Sequence, residues 1–153
     1  MIWSLKETLD REQIKAIQLK KLKKTVKYAY KKVPYYQEKF KSAGIHPNDI
    51  QSLDDLNKIP FTTKEDLRRN YPFGMFAVPR KKIVRYHASS GTTGNPTVVG
   101  YTRHDMKVWR ECVARMVSMA GVNKNDTAQI SFGYGLFTGA LGLQQGLEKV
   151  GAG

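Results

Sequence analysis

The residues best suited to chemistry form a short polar run between two segments rich in β-forming residues, 83–86 and 97–101. Glycine lets successive backbone N–H groups converge on an anion, and short hydroxyl side chains add donors without crowding it. The run therefore fits a phosphate-binding loop between two strands, although an ordinary glycine-rich hairpin turn uses the same residue types. The six residues of the run are Ser89, Ser90, Gly91, Thr92, Thr93 and Gly94.

Two well-known phosphate motifs are absent from this loop. A Walker A loop requires Lys-Ser or Lys-Thr after its last glycine, whereas Gly94 is followed by Asn95 and Pro96. The dinucleotide fingerprint GxGxxG is also missing, because the pair Gly91 and Gly94 lacks the first glycine of that set. If the loop binds phosphate, it does so with a different motif.

The composition is that of a globular protein. The chain has 153 residues, of which 41% are hydrophobic and 10% aromatic, enough for one domain with a moderate core. No apolar run approaches the roughly 18 residues that would cross a bilayer, and the first residues lack the pattern of a signal peptide. We therefore expect a cytoplasmic protein. The single cysteine, Cys112, has no internal partner, and no metal site is predicted because no Cys or His cluster has ligand spacing.

The charge is strongly positive and unevenly distributed. The net charge is +13, and residues 1–41 hold 12 Lys and Arg against 4 acids. Such a basic segment with nearby tyrosines is typical of a module that binds RNA or an anionic membrane surface. A solvated helix face explains the same residues, and we adopt that interpretation, so neither nucleic acid nor membrane is an expected partner.

Capping signals predict where the helices begin. The residue pairs with cap spacing are Asp10 with Gln13, Ser52 with Asp55, Thr62 with Glu65, and Thr102 with Asp105. The first helix should end before Pro34, which opens a second helix that ends at Gly44. The helix after Thr102 should bury one apolar stripe. That stripe consists of Met106, Trp109, Val113, Met116, Val117 and Ala120.

A strand at about residues 128–132 and a further helix complete the predicted order of elements. The apolar residues of that helix are Leu136, Ala140, Leu143, Leu147 and Val150. Alternation of strands and helices predicts an α/β fold in which N-terminal helices precede a mixed, largely parallel sheet with flanking helices. We divide the chain into a helical region, residues 1–78, and an incomplete α/β nucleotide-binding region, residues 79–153, which together form one truncated domain.

The sequence HASSGTTGNPTVVGYT, residues 87–102, resembles the phosphate-binding signature of the acyl-adenylate-forming enzymes, in particular their phenylacetate-CoA ligase branch. The segment FGYGLFTGALG, residues 132–142, and the segment from KKVPYY to NYPFG, residues 31–74, extend this resemblance over nearly the whole chain. Ligases of this family are several hundred residues long. We therefore expect an N-terminal fragment, with the fold of part of the large N-terminal domain of these enzymes.

The resemblance implies an aryl-acid-CoA ligase, an ATP-dependent enzyme of aromatic acid catabolism that converts phenylacetate to its CoA thioester through an acyl-adenylate and releases AMP and diphosphate. Residues 89–94 would bind the ATP phosphates, and coenzyme A would be the co-substrate. The catalytic residues and the Mg²⁺ ligands would lie beyond Gly153, so we expect these 153 residues alone to be inactive. An open sheet edge also predicts a homodimer or a swapped assembly. A stand-alone nucleotide-binding protein remains an alternative.

Two further features bear on the predicted site. The aromatic residues Tyr134 and Phe137, beside Gly135 and Gly139, could hold a flat aryl group, and the resemblance implies that they line the acid pocket; a strand-to-helix turn with core aromatics is the alternative. Related ligases often carry lysine where this chain has Asn95. An amide offers the phosphates only a dipole, which predicts a greater dependence on Mg²⁺ or on another cationic side chain.

Overall fold

The computed structural model describes residues 2–89, 95–135 and 138–153. The chain folds as two compact units. One consists mainly of Leu9–Pro79, and the other mainly of Val98–Gly153 together with the strand that begins at Ile83 and the residues up to Thr8. The division into two regions at residue 79 stays a prediction.

The first unit is helical, and its first helix begins as predicted. The Asp10 carboxylate accepts a hydrogen bond from the N–H of Gln13 at 2.8 Å, and the Gln13 side chain accepts one from the N–H of Asp10 at 3.2 Å. Pro34 occupies the first turn of the second helix, and Gly44 follows that helix with φ of +66°. The helices of this unit are α1 (Arg11–Lys32), α2 (Pro34–Ser42) and α3 (Lys64–Arg69).

A small apolar core holds this unit together. Val26 of α1, Phe40 of α2 and Ile50 are buried against one another. Five partly buried residues surround them: Leu22, Tyr30, Tyr36, Ile45 and Ile59. The core uses one side of α1, so the exposed lysines of that helix, such as Lys20 and Lys24, remain in solvent.

One predicted helix start is wrong by one residue. The cap of α3 is Thr63 with Asp66 instead of Thr62 with Glu65. Asp66 accepts hydrogen bonds from the N–H and the hydroxyl of Thr63, both at 2.8 Å. It also forms an ion pair with Lys39 of α2 at 2.9 Å. The tertiary contact with Lys39 favours this register, whereas Glu65 forms its ion pairs within α3, with Arg68 and Arg69. By contrast, Asp55 accepts from Ser52 as predicted.

The second unit contains two strands, β1 (Ile83–Ala88) and β2 (Val98–Thr102), and two helices, α4 (Arg103–Met119) and α5 (Gly139–Val150). The strands pair antiparallel, with Ala88 opposite Val98. The two strands predicted on either side of the loop are therefore confirmed, whereas residues 90–94 of the loop lie outside the described residues. The predicted largely parallel sheet is not found in the described residues, because the two strands are joined directly by residues 89–97, which returns the chain antiparallel.

A third strand at residues 128–132 is also not formed. The N–H of Ala128 donates to the carbonyl of Gly153 at 2.7 Å, and the N–H of Gly153 donates to Asp126 at 3.0 Å. A β-strand requires a ladder of backbone hydrogen bonds to a partner strand. In the described residues, this segment has only the two hydrogen bonds that involve Gly153. Phe132 is 62% exposed, so this segment also lacks a buried apolar face.

The helix α4 begins as predicted, because Asp105 accepts from the N–H and the hydroxyl of Thr102 at 2.8 and 2.7 Å. Its buried stripe is partly different from the prediction. Met116 is 55% exposed and Ala120 is exposed, whereas Ala114 and Ser118 are fully buried. The stripe is rotated because α5 packs on the side of α4 that carries these small residues.

Within the described residues, none of the helices combines the length and the apolar character that crossing a lipid bilayer requires.

Asp66 provides a test of the helical unit. Hydrogen bonds from the Thr63 backbone and then from Lys39 hold the pKa of Asp66 well below its ordinary value of 3.8. A carboxylate with a lowered pKa stabilises the folded state above that ordinary value, and the contribution is lost as the pH falls. We expect Asp66→Asn to lower the melting temperature by a few degrees at pH 7, and this difference to shrink below about pH 4.

The control is Asp54→Asn, which removes an exposed carboxylate without an ion pair in the described part of the chain. Thermal unfolding of the three proteins between pH 2 and 7 is the measurement. A difference between Asp66→Asn and the parent that did not change with pH would contradict the role given to this carboxylate.

Candidate functional site

The predicted phosphate loop begins at the end of strand β1. Ser89 directly follows this strand, and Ser90, Gly91, Thr92, Thr93 and Gly94 lie outside the described residues. Because Ala88 and Val98 are paired across the sheet, the segment between them leaves and returns at the same end of the hairpin. The structure thus fixes where the predicted loop is anchored.

An aromatic cluster lies next to this anchor. The indole of Trp109 stacks on the ring of Tyr101, with centroids 5.0 Å apart and planes at 25°. His87 contacts both rings edge to face, with its ring centroid 5.3 Å from that of Trp109 and 5.6 Å from that of Tyr101. His87 is 2% exposed. The cluster joins β1, β2 and α4 immediately before the loop, and its ring contacts bury His87.

Two glycines bring helix α5 against the same cluster. A Cβ atom at Gly142 would overlap the indole ring of Trp109, and one at Gly146 would overlap the side chain of Val113. The two helices can approach this closely only because these positions have no side chain. The sequence signal for this contact was the pair Gly142 and Gly146, four residues apart in a helical pattern. The apolar periodicity of the helix did not predict the contact.

The residues predicted to line the aryl pocket precede α5. Tyr134 is 56% exposed, and nothing lies within 4 Å of the position that a Cβ of Gly135 would take. Gly139 is the first residue of α5. Phe137 lies outside the described residues. The structure therefore gives this segment exposed aromatic surface and a fixed end, because α5 is held on α4.

The loop and the aryl segment share one support. His87 lies two residues before Ser89, and Gly142 lies three residues after Gly139. Both His87 and Gly142 are in contact with Trp109. A single side chain thus contacts both the strand that enters the predicted phosphate loop and the helix that follows the predicted aryl segment.

The N-terminal segment also packs on α4. The indole N–H of Trp3 donates to the carboxylate of Glu111 at 2.6 Å, and this hydrogen bond is the main reason why the pKa of Glu111 is lowered. Lys149 of α5 forms an ion pair with Glu111 at 3.2 Å, and Arg115 of α4 pairs with Glu7 at 2.8 Å. Charge alone did not predict these pairs, since they join residues far apart in sequence.

Metal ligands are not assembled here. In the ranges that the structure describes, no group of three His, Cys, Asp or Glu side chains lies close enough to bind a metal ion. Mg²⁺ prefers carboxylate and phosphate oxygens, whereas the predicted loop contributes hydroxyl and backbone donors. These residues fit a phosphate and do not fit a Mg²⁺ site.

The glycine contacts provide a test of the support. We expect Gly142→Ala to destabilise the fold by about 1 kcal/mol or more, because the overpacking cost of about 1–3 kcal/mol exceeds the gain in helix propensity. In a Trp3→Phe background, the fluorescence of Trp109 should also change. Urea unfolding and emission spectra measure both effects. Gly133→Ala is the matched control, since nothing lies within 4 Å of a Cβ there; equal behaviour of the two alanine variants would refute the contact.

The chain is similar to known CoA ligases. It is 54% identical over 145 residues to the phenylacetate-coenzyme A ligase of Aromatoleum evansii. It is 53% identical over 146 residues to that of Escherichia coli (strain K12) and 52% identical over 145 residues to that of Thermus thermophilus. Each alignment covers 95% of this chain and 33% of the relative, so the chain spans about one third of the length of these proteins. No protein-family model matches the chain.

Solved structures give the same result for the fold. A 2-hydroxyisobutyryl-CoA ligase in complex with 2-HIB-AMP and CoA matches with a TM-score of 0.88 and 29% identity, over 95% of this chain and 32% of that protein. An open conformation of that ligase, also with 2-HIB-AMP and CoA, matches with a TM-score of 0.87 and 28% identity, over 95% and 34% of the two chains. The α/β fold class is confirmed. The resemblance read from the sequence is confirmed as well: over almost its whole length, this chain is similar to one third of a phenylacetate-coenzyme A ligase.

Proposed function

We propose that this chain is the ATP-phosphate-binding part of a phenylacetate-CoA ligase or a close aryl-acid relative. The observation that carries the proposal is the identity of 52–54% with phenylacetate-coenzyme A ligases across a segment that contains the SSGTTG loop. The antiparallel hairpin supports it, because the loop leaves and returns at one end of two paired strands. An ordinary hairpin turn would not require the aromatic cluster that holds its base.

The proposed reaction has two steps. A carboxylate oxygen of the acid attacks the α-phosphorus of ATP, the bond to pyrophosphate breaks, and an acyl-adenylate forms. The sulfur of coenzyme A then attacks the acyl carbon, AMP leaves, and the thiol proton is released. In the first step the protein must hold several phosphate charges and align the attacking and leaving oxygens.

In this proposal, the loop holds the phosphates with neutral donors. Hydroxyl and backbone N–H groups that are in place before the reaction stabilise charge without reorganising. The proposed hydroxyl donors are Ser89, Ser90, Thr92 and Thr93, and the proposed backbone donors are those of Gly91 and Gly94. Mg²⁺ would neutralise phosphate charge when bound. No residue of this chain is assigned to it.

We further propose that the segment before α5 binds the aryl group. Tyr134 and Phe137 would form aromatic walls, and Gly135 and Gly139 would leave room between them. The exposed ring of Tyr134 and the open space at Gly135 support this assignment. The substrate named for the similar proteins is phenylacetate, which has one planar ring of suitable size.

The proposal has four further parts: coenzyme A as co-substrate, a requirement for Mg²⁺, a cytoplasmic location, and a homodimer or swapped assembly. The solved ligases with 28–29% identity contain 2-HIB-AMP and CoA, which supports an adenylate route with this thiol. Both strands have an outer edge without a strand partner in the described residues, which supports self-association. Light scattering that showed only monomer would exclude the assembly without affecting the ligase proposal.

Titration calorimetry with ATP tests the phosphate loop. We expect Thr92→Val/Thr93→Val to raise the Kd for ATP by about tenfold or more, because hydrogen bonds to a charged group are worth about 1.5–3 kcal/mol each. The control is Thr25→Val/Thr127→Val, which removes two exposed threonine hydroxyls elsewhere. Equal ATP affinity of the two double variants would overturn the assignment of the loop.

The exposed residue Asn95 allows the opposite test. We expect Asn95→Lys to lower the Kd for ATP by about fivefold, because one added charge near a phosphate is worth about 1 kcal/mol at 4 Å in water. Asn57→Lys adds the same charge at an exposed position in the helical unit and should leave the affinity unchanged. Weaker binding of ATP by Asn95→Lys would argue against a phosphate at this end of the loop.

A further inference from the structure

A second basic feature lies in the unit formed by the hairpin and α4. An open cleft of about 520 Å³ is lined by four cationic side chains and no acidic one. Arg85 comes from β1, and Arg103, Lys107 and Arg110 come from α4. Such a concentration of one sign of charge requires an explanation.

The spacing on α4 places three of the cations together. Arg103, Lys107 and Arg110 are separated by four and three residues, so they lie on one face of the helix and repel one another. Arg103 is also the first residue of α4, where the helix dipole favours negative charge. Both features lower the stability of the free protein, which indicates that the cations serve a ligand.

Neutralising groups are missing around the cleft. Across residues 2–89, 95–135 and 138–153, the side chains of these four cations form no ion pair. The two acids nearest in sequence have other partners: Asp105 caps α4 through Thr102, and Glu111 binds Trp3 and Lys149. In addition, the Nη1 atom of Arg85 is shielded from solvent and has no hydrogen-bond partner among the described residues. An unsatisfied donor on a charged group is costly, and an anion in the cleft would offset that cost.

None of the residues that line this cleft belongs to the predicted phosphate loop. The loop leaves the hairpin at the paired residues Ala88 and Val98, whereas Ile83 and Thr102 are paired at the other end, where α4 begins. Arg85, the cation that β1 contributes to the cleft, lies three residues before Ala88, which corresponds to about 10 Å along the strand.

We propose that the cleft binds a small ligand that carries two or more clustered phosphate groups. Arginine side chains present forked donors that match phosphate oxygens, and Val84 and Met106 provide apolar surface for the rest of the ligand. The volume lies within the range of about 300–1,000 Å³ that is typical of small-molecule pockets, which favours such a ligand over a nucleic acid. Two sources have this chemistry: the nucleotide of coenzyme A and a free nucleoside polyphosphate or inorganic polyphosphate.

The experiment is a calorimetric titration of the 153-residue chain with three probes: 3′,5′-ADP, coenzyme A and tripolyphosphate. We expect Lys107→Gln/Arg110→Gln to raise the Kd of the bound probes by about tenfold or more. Lys20→Gln/Lys24→Gln changes the net charge equally on the exposed side of α1 and should not affect binding. Without ligand, Lys107→Gln/Arg110→Gln should unfold at the same temperature as the parent or a higher one, because repulsion between the cations is reduced. This measurement separates loss of binding from loss of the fold.

The probes distinguish the sources. Cleft-dependent binding of 3′,5′-ADP and coenzyme A, with weaker binding of tripolyphosphate, supports the proposal and identifies the nucleotide of coenzyme A. The reverse order supports it and identifies a polyphosphate. Equal Kd values for the cleft variant and the α1 variant would overturn it, and so would tighter cleft-dependent binding of a single-stranded RNA 10-mer.

The proposal and the ligase function fail separately. The variant Thr92→Val/Thr93→Val should retain the cleft-dependent binding of 3′,5′-ADP and tripolyphosphate, because those residues belong to the loop. If that variant binds ATP normally while the cleft variant loses its probes, the proposed role of the loop fails and the cleft stands.

Discussion

The contact between the indole of Trp109 and the backbone of Gly142 is the constraint on which the hairpin unit depends. The indole stacks on Tyr101 and meets His87 on one side, and it occupies the space of a missing side chain at Gly142 on the other. Core packing tolerates little change in volume. The ends of the predicted loop and of the predicted aryl segment therefore move together with this one ring, which suits a site that must align two substrates.

In our proposals, the hairpin unit carries two kinds of phosphate chemistry. The proposed loop offers neutral hydroxyl and backbone donors, and Asn95 follows it with a neutral amide. In the cleft, Arg85 and the cations of α4 provide charge without hydroxyl donors. Neutral donors suit a phosphate whose bonds change during the reaction, because they can be placed exactly around it. A cluster of cations suits a phosphate that only anchors its ligand, since charge attracts at longer range.

The sequence predicted those parts of the fold that depend on neighbouring residues. Several of these predictions are confirmed: the caps at Asp10 and Thr102, the proline that opens α2, and the strands on either side of the loop. Each depends on contacts within a few residues. The cap at Thr62 was wrong by one residue because Lys39, from another helix, selects Asp66. The strand at 128–132 was wrong because apolar character alone does not supply a pairing partner.

By itself, then, the sequence determined the resemblance to the phenylacetate-CoA ligases, the position of the polar run and the start of most helices, since these are local patterns of residue types. Only the tertiary structure decided that His87 packs between aromatic rings, that Gly142 and Gly146 admit Trp109 and Val113, and that Arg85 joins the cations of α4. The physical reason is that each of these depends on residues from different elements meeting in space. Such meetings follow from the register of the hairpin and the closeness of α4 to α5, and no local pattern encodes either one.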